Sequence, residues 1–239
     1  MTTRTWLILG ATSIIAEEFA KLAAKSGYCL ILVGRNNSQL QIIAADLRLR
    51  YRVKCESYFC DFAENINDIL TILKSNLTEL DLFIAYGSIL ENSALDSKSS
   101  KELLTINVLS TVELIKAYLD KIQLEHRIIY LSSVAACRGR SKNSLYGGSK
   151  ALVEIFLEGL EQESEGKLQL TIARLGFIDT VQTFGSPGIF YASPPESCAK
   201  ACWQASFKGK RRIYHPFFWR YIMAIICRLP FFIYKKMKL

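Results

Sequence analysis

The chain has 239 residues, half of them hydrophobic, which is enough for a substantial core in one large α/β domain or two small ones. Its formal net charge is +8, yet residues 197–239 carry ten Lys/Arg and no Asp/Glu, while residues 1–196 hold 20 basic and 22 acidic side chains; this excludes a generally basic protein and gives the tail a function of its own. The seven cysteines are odd in number, scattered and free of any CxxC pair, and only His126 and His215 add imidazoles, so buried thiols in a reducing, cytoplasmic compartment are expected, with no disulfide framework and no metal site.

Apolar runs alternate with helical patterns along nearly the whole chain. A strand is expected over 6–9, entering a glycine turn directly as a first strand does and not as a signal peptide, then a helix over 13–25. Strand 29–33 and helix 38–49 follow, then strand 53–59 and helix 66–74, then strand 82–85 and one long helix over 100–121. Strand 127–131 leads to helix 145–163, and 168–174 is a sixth strand. Strands that are continuously apolar, each followed by a helix, imply a parallel sheet covered on both faces. The expected fold is α/β, a Rossmann-like doubly wound sheet of about seven strands in a single domain over residues 1–215. Residues 181–196, with two glycines and three prolines, are expected to form a loop.

In such a fold ligands bind beyond the carboxyl ends of the strands. Small or polar groups fall there: Gly10-Ala11-Thr12-Ser13, Gly34-Arg35-Asn36, Cys60-Asp61-Phe62, Tyr86-Gly87-Ser88, Ser132-Ser133 and Gly176. Gly10 permits a tight turn and Ser13 can cap the next helix, leaving backbone N–H groups for a pyrophosphate. The later glycines usual in such loops are replaced by Ile14 and Ala16. Arg35 stands at the end of the second strand, where an arginine suits a ribose 2′-phosphate and an acid would suit the 2′-hydroxyl; NADP(H) is therefore preferred, with NAD(H) the alternative. Asp61 either accepts from an adenine amino group or caps a helix.

Tyr146-Gly147-Gly148-Ser149-Lys150 follows the fifth strand. A tyrosine and a lysine four apart share a helix face, and a neighbouring ammonium favours phenol ionisation. The pattern suits a tyrosine acid/base, or it is an ordinary helix surface.

With these residues the chain resembles the short-chain dehydrogenase/reductase family, single-domain type, over roughly residues 5–215. The resemblance rests on Tyr146 and Lys150, on Ser133 thirteen residues before the tyrosine, on Asn107 in Thr105-Ile106-Asn107-Val108, on Asp61, and on Leu175-Gly176-Phe177-Ile178-Asp179-Thr180 in place of the family's Pro-Gly-x-x-x-Thr. It implies hydride transfer between a nicotinamide and a carbonyl or alcohol carbon. Tyr146 is implied as the acid/base, Lys150 as the group that lowers the phenol's pKa and holds the ribose, Ser133 as the orienter of the substrate oxygen, and Asn107 as the holder of a water. The cofactor is implied to contact Gly10, Thr12, Ser13, Ile14 and Ile15; Arg35 and Asn36; Asp61 and Phe62; Ala85, Tyr86 and Gly87; Tyr146 and Lys150; and Gly176, Ile178 and Thr180. Ala85-Tyr86-Gly87-Ser88 departs from the family's Asn-Asn-Ala-Gly. The alternatives are a non-catalytic cofactor-binding regulator or scaffold of the same fold, and a sugar epimerase or dehydratase, for whose extra domain the chain has little room.

Residues 212–214 read as a short seventh strand, and a helix is expected from Pro216 to about 229, broken by Pro230. A spanning helix needs about twenty apolar residues, whereas Arg220 and Arg228 each cost roughly 2.5–3.5 kcal/mol within one. Residues 216–239 are thus expected to form an apolar and basic amphipathic tail at a membrane surface, on the inner face of the membrane. Packing on the protein body, or on another subunit of a homo-dimer or tetramer, is the main alternative. No nucleic-acid module is present. The tail resembles that of bacterial cell-envelope reductases such as the decaprenyl-phosphoryl 2-keto-pentose reductase, implying a small-molecule or lipid-linked carbonyl substrate.

Overall fold

The computed structural model describes residues 4–76, 78–180 and 191–237. Seven strands form one parallel sheet: β1 (Thr5–Leu9), β2 (Cys29–Gly34), β3 (Cys55–Phe59), β4 (Leu80–Ile84), β5 (His126–Ser133), β6 (Leu168–Leu175) and β7 (Arg212–His215). Their spatial order is β3-β2-β1-β4-β5-β6-β7. The chain winds outward from β1 in one direction, then returns to its other side at β4, so the crevice beyond β1 and β4 is the topological switch point where ligands bind in such sheets.

Period-two alternation divides each strand between two cores. Trp6 and Ile8 of β1, with Leu30 and Leu32 of β2, face a layer built from α1 (Ile14–Lys25), α2 (Asn37–Tyr51) and α7 (Pro195–Phe207). Leu7, Leu9, Ile31 and Val33 face the opposite layer of α3 (Asn67–Ser75), α5 (Ser110–Leu119) and α6 (Ser144–Glu163). Burial on both faces explains why these strands read as continuous apolar runs.

Three elements differ from expectation. The long fourth helix is interrupted: α4 (Ser97–Leu104) passes through a π-helical turn, Thr105–Leu109, into α5. A helix expected as loop or left unassigned, α7, starts at Pro195, so the expected loop over 181–196 ends earlier, and its residues 181–190 lie outside the described ones. Proline at the first helical position starts a helix without sacrificing a hydrogen bond, and Cys198, Ala199 and Cys202 are small enough for close packing on α1. The tail forms α8 (Trp219–Arg228), which Pro230 ends, and a short α9 (Phe231–Tyr234). Trp219, Met223 and Ile226 of α8 bury against Val134, so one face of the tail helix packs on the body. No helix among the described residues is long and apolar enough to cross a membrane.

Candidate active site

The turn after β1 leads directly into the start of α1. Gly10 has φ +82°, and a Cβ there would meet the Tyr86 backbone nitrogen at 2.7 Å, so only glycine suits both the turn and the contact. Ser13 caps α1 by accepting from the Ala16 amide at 3.2 Å. The amides of Ile14 and Ile15 find no acceptor among the described residues, which leaves donors at a positive helix end. Loss of the third glycine is tolerated because Ala16 is still small enough to be fully buried there.

A cleft of about 550 Å³ runs from this turn across the ends of β1, β4, β5 and β6. Its lining brings together Gly10, Thr12, Ser13, Ile14, Ile15, Arg35, Asp61, Phe62, Ala85, Tyr86, Gly87, Ser133, Tyr146, Lys150, Gly176, Ile178 and Thr180. Two expected residues stand apart. Asn36 is the N-cap of α2, accepting from the Gln39 amide at 3.1 Å. Asn107 lies behind the lining: its Oδ1 accepts from the Ser88 amide at 2.7 Å, and its Nδ2 donates to Ser88 O at 2.8 Å and Ser149 Oγ at 3.0 Å. It thereby ties the loop after β4 to the helix that bears the tyrosine, from a π-turn of the sort often found at functional sites. Asp61 reaches the cleft and accepts from the Ala63 amide at 2.9 Å within a turn; it does not cap a helix, because α3 starts only at Asn67, after Ile66 and with no side-chain cap.

Tyr146 and Lys150, the expected acid/base pair, sit on α6. Ser133 ends β5, and its hydroxyl accepts from the Ala135 amide in the short 3₁₀ turn Val134–Cys137. That turn is pressed onto α6 just after the tyrosine: a Cβ on Gly147 would lie 2.5 Å from the Ala135 carbonyl oxygen. The close approach brings Ser133 to the Tyr146 phenol. Burial raises the phenol's pKa, while the Ser133 hydrogen bond and the Arg140 charge pull it down. Lys150 is buried, donates to the Leu131 carbonyl at 3.0 Å, and lies 4.8 Å above the Tyr130 ring. Burial lowers its pKa to about 8, and the charge of Glu154 opposes that shift. In this arrangement the ammonium is turned towards backbone carbonyls, and the influences favouring the Tyr146 phenolate are Ser133 and Arg140.

The sequence profile of the short chain dehydrogenase family matches residues 4–184. The chain belongs to that family. Members are NAD(P)-dependent oxidoreductases, and so is this chain. It is similar to an uncharacterized oxidoreductase of Staphylococcus epidermidis, 28% identical over 193 residues, covering 75% of this chain and 80% of the relative. An uncharacterized oxidoreductase of Mycobacterium tuberculosis is 26% identical over 240 residues, covering 97% of this chain and 96% of the relative, tail included. The fold resembles a solved short-chain dehydrogenase from Sphingobium yanoikuyae in complex with NADPH, with TM-score 0.83 and 20% identity, covering 89% of this chain and 88% of that one.

The departures from the family pattern have physical substitutes. Tyr86, where short-chain dehydrogenases carry asparagine, stacks on Phe62 with ring centroids 3.7 Å apart, and its hydroxyl accepts from Thr111 Oγ1 at 2.8 Å. The cleft wall beyond β4 is thus closed by an aromatic pair. Three residues near the site escaped the sequence reading. Glu154, one turn beyond Lys150, accepts from Ser132 Oγ at 2.5 Å and from Arg174 Nε at 2.9 Å; the i, i+4 spacing from Lys150 was its only signal. Arg140 left no signal, because its nearness to Tyr146 arises from a loop. Trp219 lies over Gly176 at the cleft wall, a contact between segments 43 residues apart in sequence.

Proposed function

We propose that this chain is an NADP(H)-dependent reductase that converts a ketone to a secondary alcohol, with Tyr146 as the proton donor. The observation that carries the reading is the meeting of Ser133, Tyr146 and Lys150 on the same cleft as the open amides of α1. The cleft residues fit a dinucleotide: Ile14 and Ile15 amides for the pyrophosphate, Asp61 and the Phe62–Tyr86 pair on the adenine side, Lys150 for the nicotinamide ribose. When bound, the cofactor supplies the hydride to the carbonyl carbon. Ser133 orients the carbonyl oxygen and Tyr146 gives it the phenolic proton; the Ser133 hydrogen bond and the Arg140 charge favour the phenolate that remains, while Lys150, protonated below about 8, holds the nicotinamide ribose. Asn107 holds the loop after β4 and the water path to Lys150. In the oxidative direction each proton step reverses.

Arg35 is exposed at the end of β2 and lines the cleft, which supports a 2′-phosphate and NADP(H) over NAD(H); the NADPH held by the Sphingobium neighbour points the same way. For the substrate we favour a lipid-linked sugar or a lipid carbonyl. In this reading residues 1–215 carry the chemistry, and residues 216–239 hold a homo-oligomeric enzyme peripherally on the inner face of the membrane.

Transfer of deuterium from labelled NADPH to a carbonyl pool tests the mechanism. Tyr146→Phe is expected to lower transfer by about 100-fold or more, the ordinary contribution of a general acid, while NADPH affinity stays near that of the wild type. Equal transfer by both proteins would sink the reading, and NADPH binding without any turnover would leave a cofactor-binding scaffold. The same titration with NADH measures the cofactor preference.

A further inference from the structure

Helix α8 has two apolar faces, and the protein body uses only one. Trp219, Met223 and Ile226 are buried against Val134. On the outer side Tyr221 and Ile225 stand 59% and 65% exposed at i and i+4, and Phe217, in the turn before the helix, is 63% exposed. Past Pro230, Phe231 and Phe232 are 71% and 69% exposed, although α9 itself is fixed: the Tyr234 hydroxyl donates to Gly139 O at 2.6 Å, and Arg138 stacks on its ring at 4.0 Å. These aromatics are therefore displayed on an anchored element. Isolated exposed apolar residues are ordinary, whereas a contiguous set marks a contact surface.

Beside this face lies a second cavity, of about 910 Å³, between α7, β7 and α8. Six cations line it: Arg174, Lys208, Lys210, Arg212, Arg220 and Arg228; no Asp or Glu does. Arg174 and Arg212 are paired with Glu154 and Glu158. Among the described residues the other four form no ion pair. Lys208 and Lys210 precede the expected tail, so the charge joins three elements that only the fold brings together.

We infer that the groove between α7, β7 and α8, with the outer aromatic face of α8 and α9, is one docking surface for an anionic lipid bilayer. The cations meet lipid phosphates, and Tyr221, Ile225, Phe231 and Phe232 enter the boundary between headgroups and acyl chains. A second copy of the chain is a poor occupant: a two-fold contact sets each patch against itself and would place the four cations that form no ion pair among the described residues against one another. This deepens the membrane part of the reductase reading and rests on it for its purpose. The inner face of α8 touches Gly176 and the turn after Ser133, so the docking element and the cleft share a wall.

The test is flotation of the full-length protein with vesicles of phosphatidylcholine alone and of phosphatidylcholine mixed with phosphatidylglycerol. Binding is expected on the mixed vesicles only, falling as salt rises. Arg220→Gln with Arg228→Gln is expected to weaken it roughly 30-fold, from about one kcal/mol per basic residue near an anionic surface. Tyr221→Ser with Ile225→Ser weakens it while the salt dependence remains. Both pairs are solvent-facing, so NADPH oxidation on a water-soluble ketone is unchanged. Equal binding to both vesicle types, no binding, or wild-type binding by the double-arginine variant overturns the proposal. So does a change in sedimentation by these variants with no vesicle binding, which would assign the face to self-association. Tyr146→Phe floats as the wild type does, so loss of turnover and loss of docking are read separately.

Discussion

Lys150 is an ammonium with little water around it. Its ring and carbonyl contacts stabilise the charge only partly, which is why burial brings its pKa to about 8. Glu154, one turn along α6, is the anion that opposes this shift, and it is itself held by Ser132 and by Arg174. We expect Glu154→Gln to accept from Arg174 through Oε1, to donate from Nε2 to Ser132 Oγ, and to remove the charge. Lys150 then loses support for its protonated form, its pKa falls further, and the alkaline limb of the kcat profile moves to lower pH. Turnover at acidic pH, where Lys150 stays protonated, changes little. A limb that stays in place while stability drops would reduce Glu154 to a structural role. The sign follows from the base being needed in its charged form.

At the scale of elements, the site depends on how closely α6 approaches the turn that follows β5. Gly147 permits that approach, with the Ala135 carbonyl where a side chain would begin. Gly147→Ala is expected to push α6 outward and separate the phenol from Ser133. Overpacking of this kind costs roughly 1–3 kcal/mol, and displacement at the reacting groups lowers kcat by about 100-fold, with KM for NADPH less affected. Thermal unfolding and steady-state kinetics check both halves. Normal turnover in this variant would show that the helix relaxes without moving Tyr146. The π-turn at Asn107 does a similar task from the other side, binding the loop after β4 to α6 through Ser88 and Ser149.

At the scale of the molecule, the two ends of the sheet are assigned to different work. The amino ends of β1, β4 and β5 are joined by Asp81, fully buried, with Arg4 at 2.7 Å and Arg127 at 3.4 Å. Burial raises the Asp81 pKa, and the two guanidinium groups pull against it. Asp81→Asn leaves Arg127 without its anion and Arg4 with Glu79 alone, and we expect a loss of roughly 3 kcal/mol, as when one partner of a buried ion pair is removed. The cleft is at the opposite, carboxyl ends of these strands, so turnover below the unfolding transition is expected to be unaltered. Denaturant midpoints beside kcat measure the two effects. The third region, the outer edge at β7, carries neither task and holds the unbalanced charge of the chain.

The amino-acid sequence by itself determined the parallel sheet, because strands buried on both faces must be apolar throughout, and it placed the polar ends of those strands around one crevice. It also determined that Tyr146 and Lys150 share one helix and the asymmetry of charge, since spacing on one helix and composition of one segment are local properties. Helix α7 was not legible: two prolines before a run of Cys, Ala and Ser look like loop, and only close packing on α1 makes small residues a helix. The tertiary structure alone decided that Glu154 meets Arg174, that the charge of Arg140 acts on the phenol, and which face of α8 is spent on Val134. Those partners lie tens of residues apart, and their meeting is set by how elements pack, for which the chain carries no periodic signal.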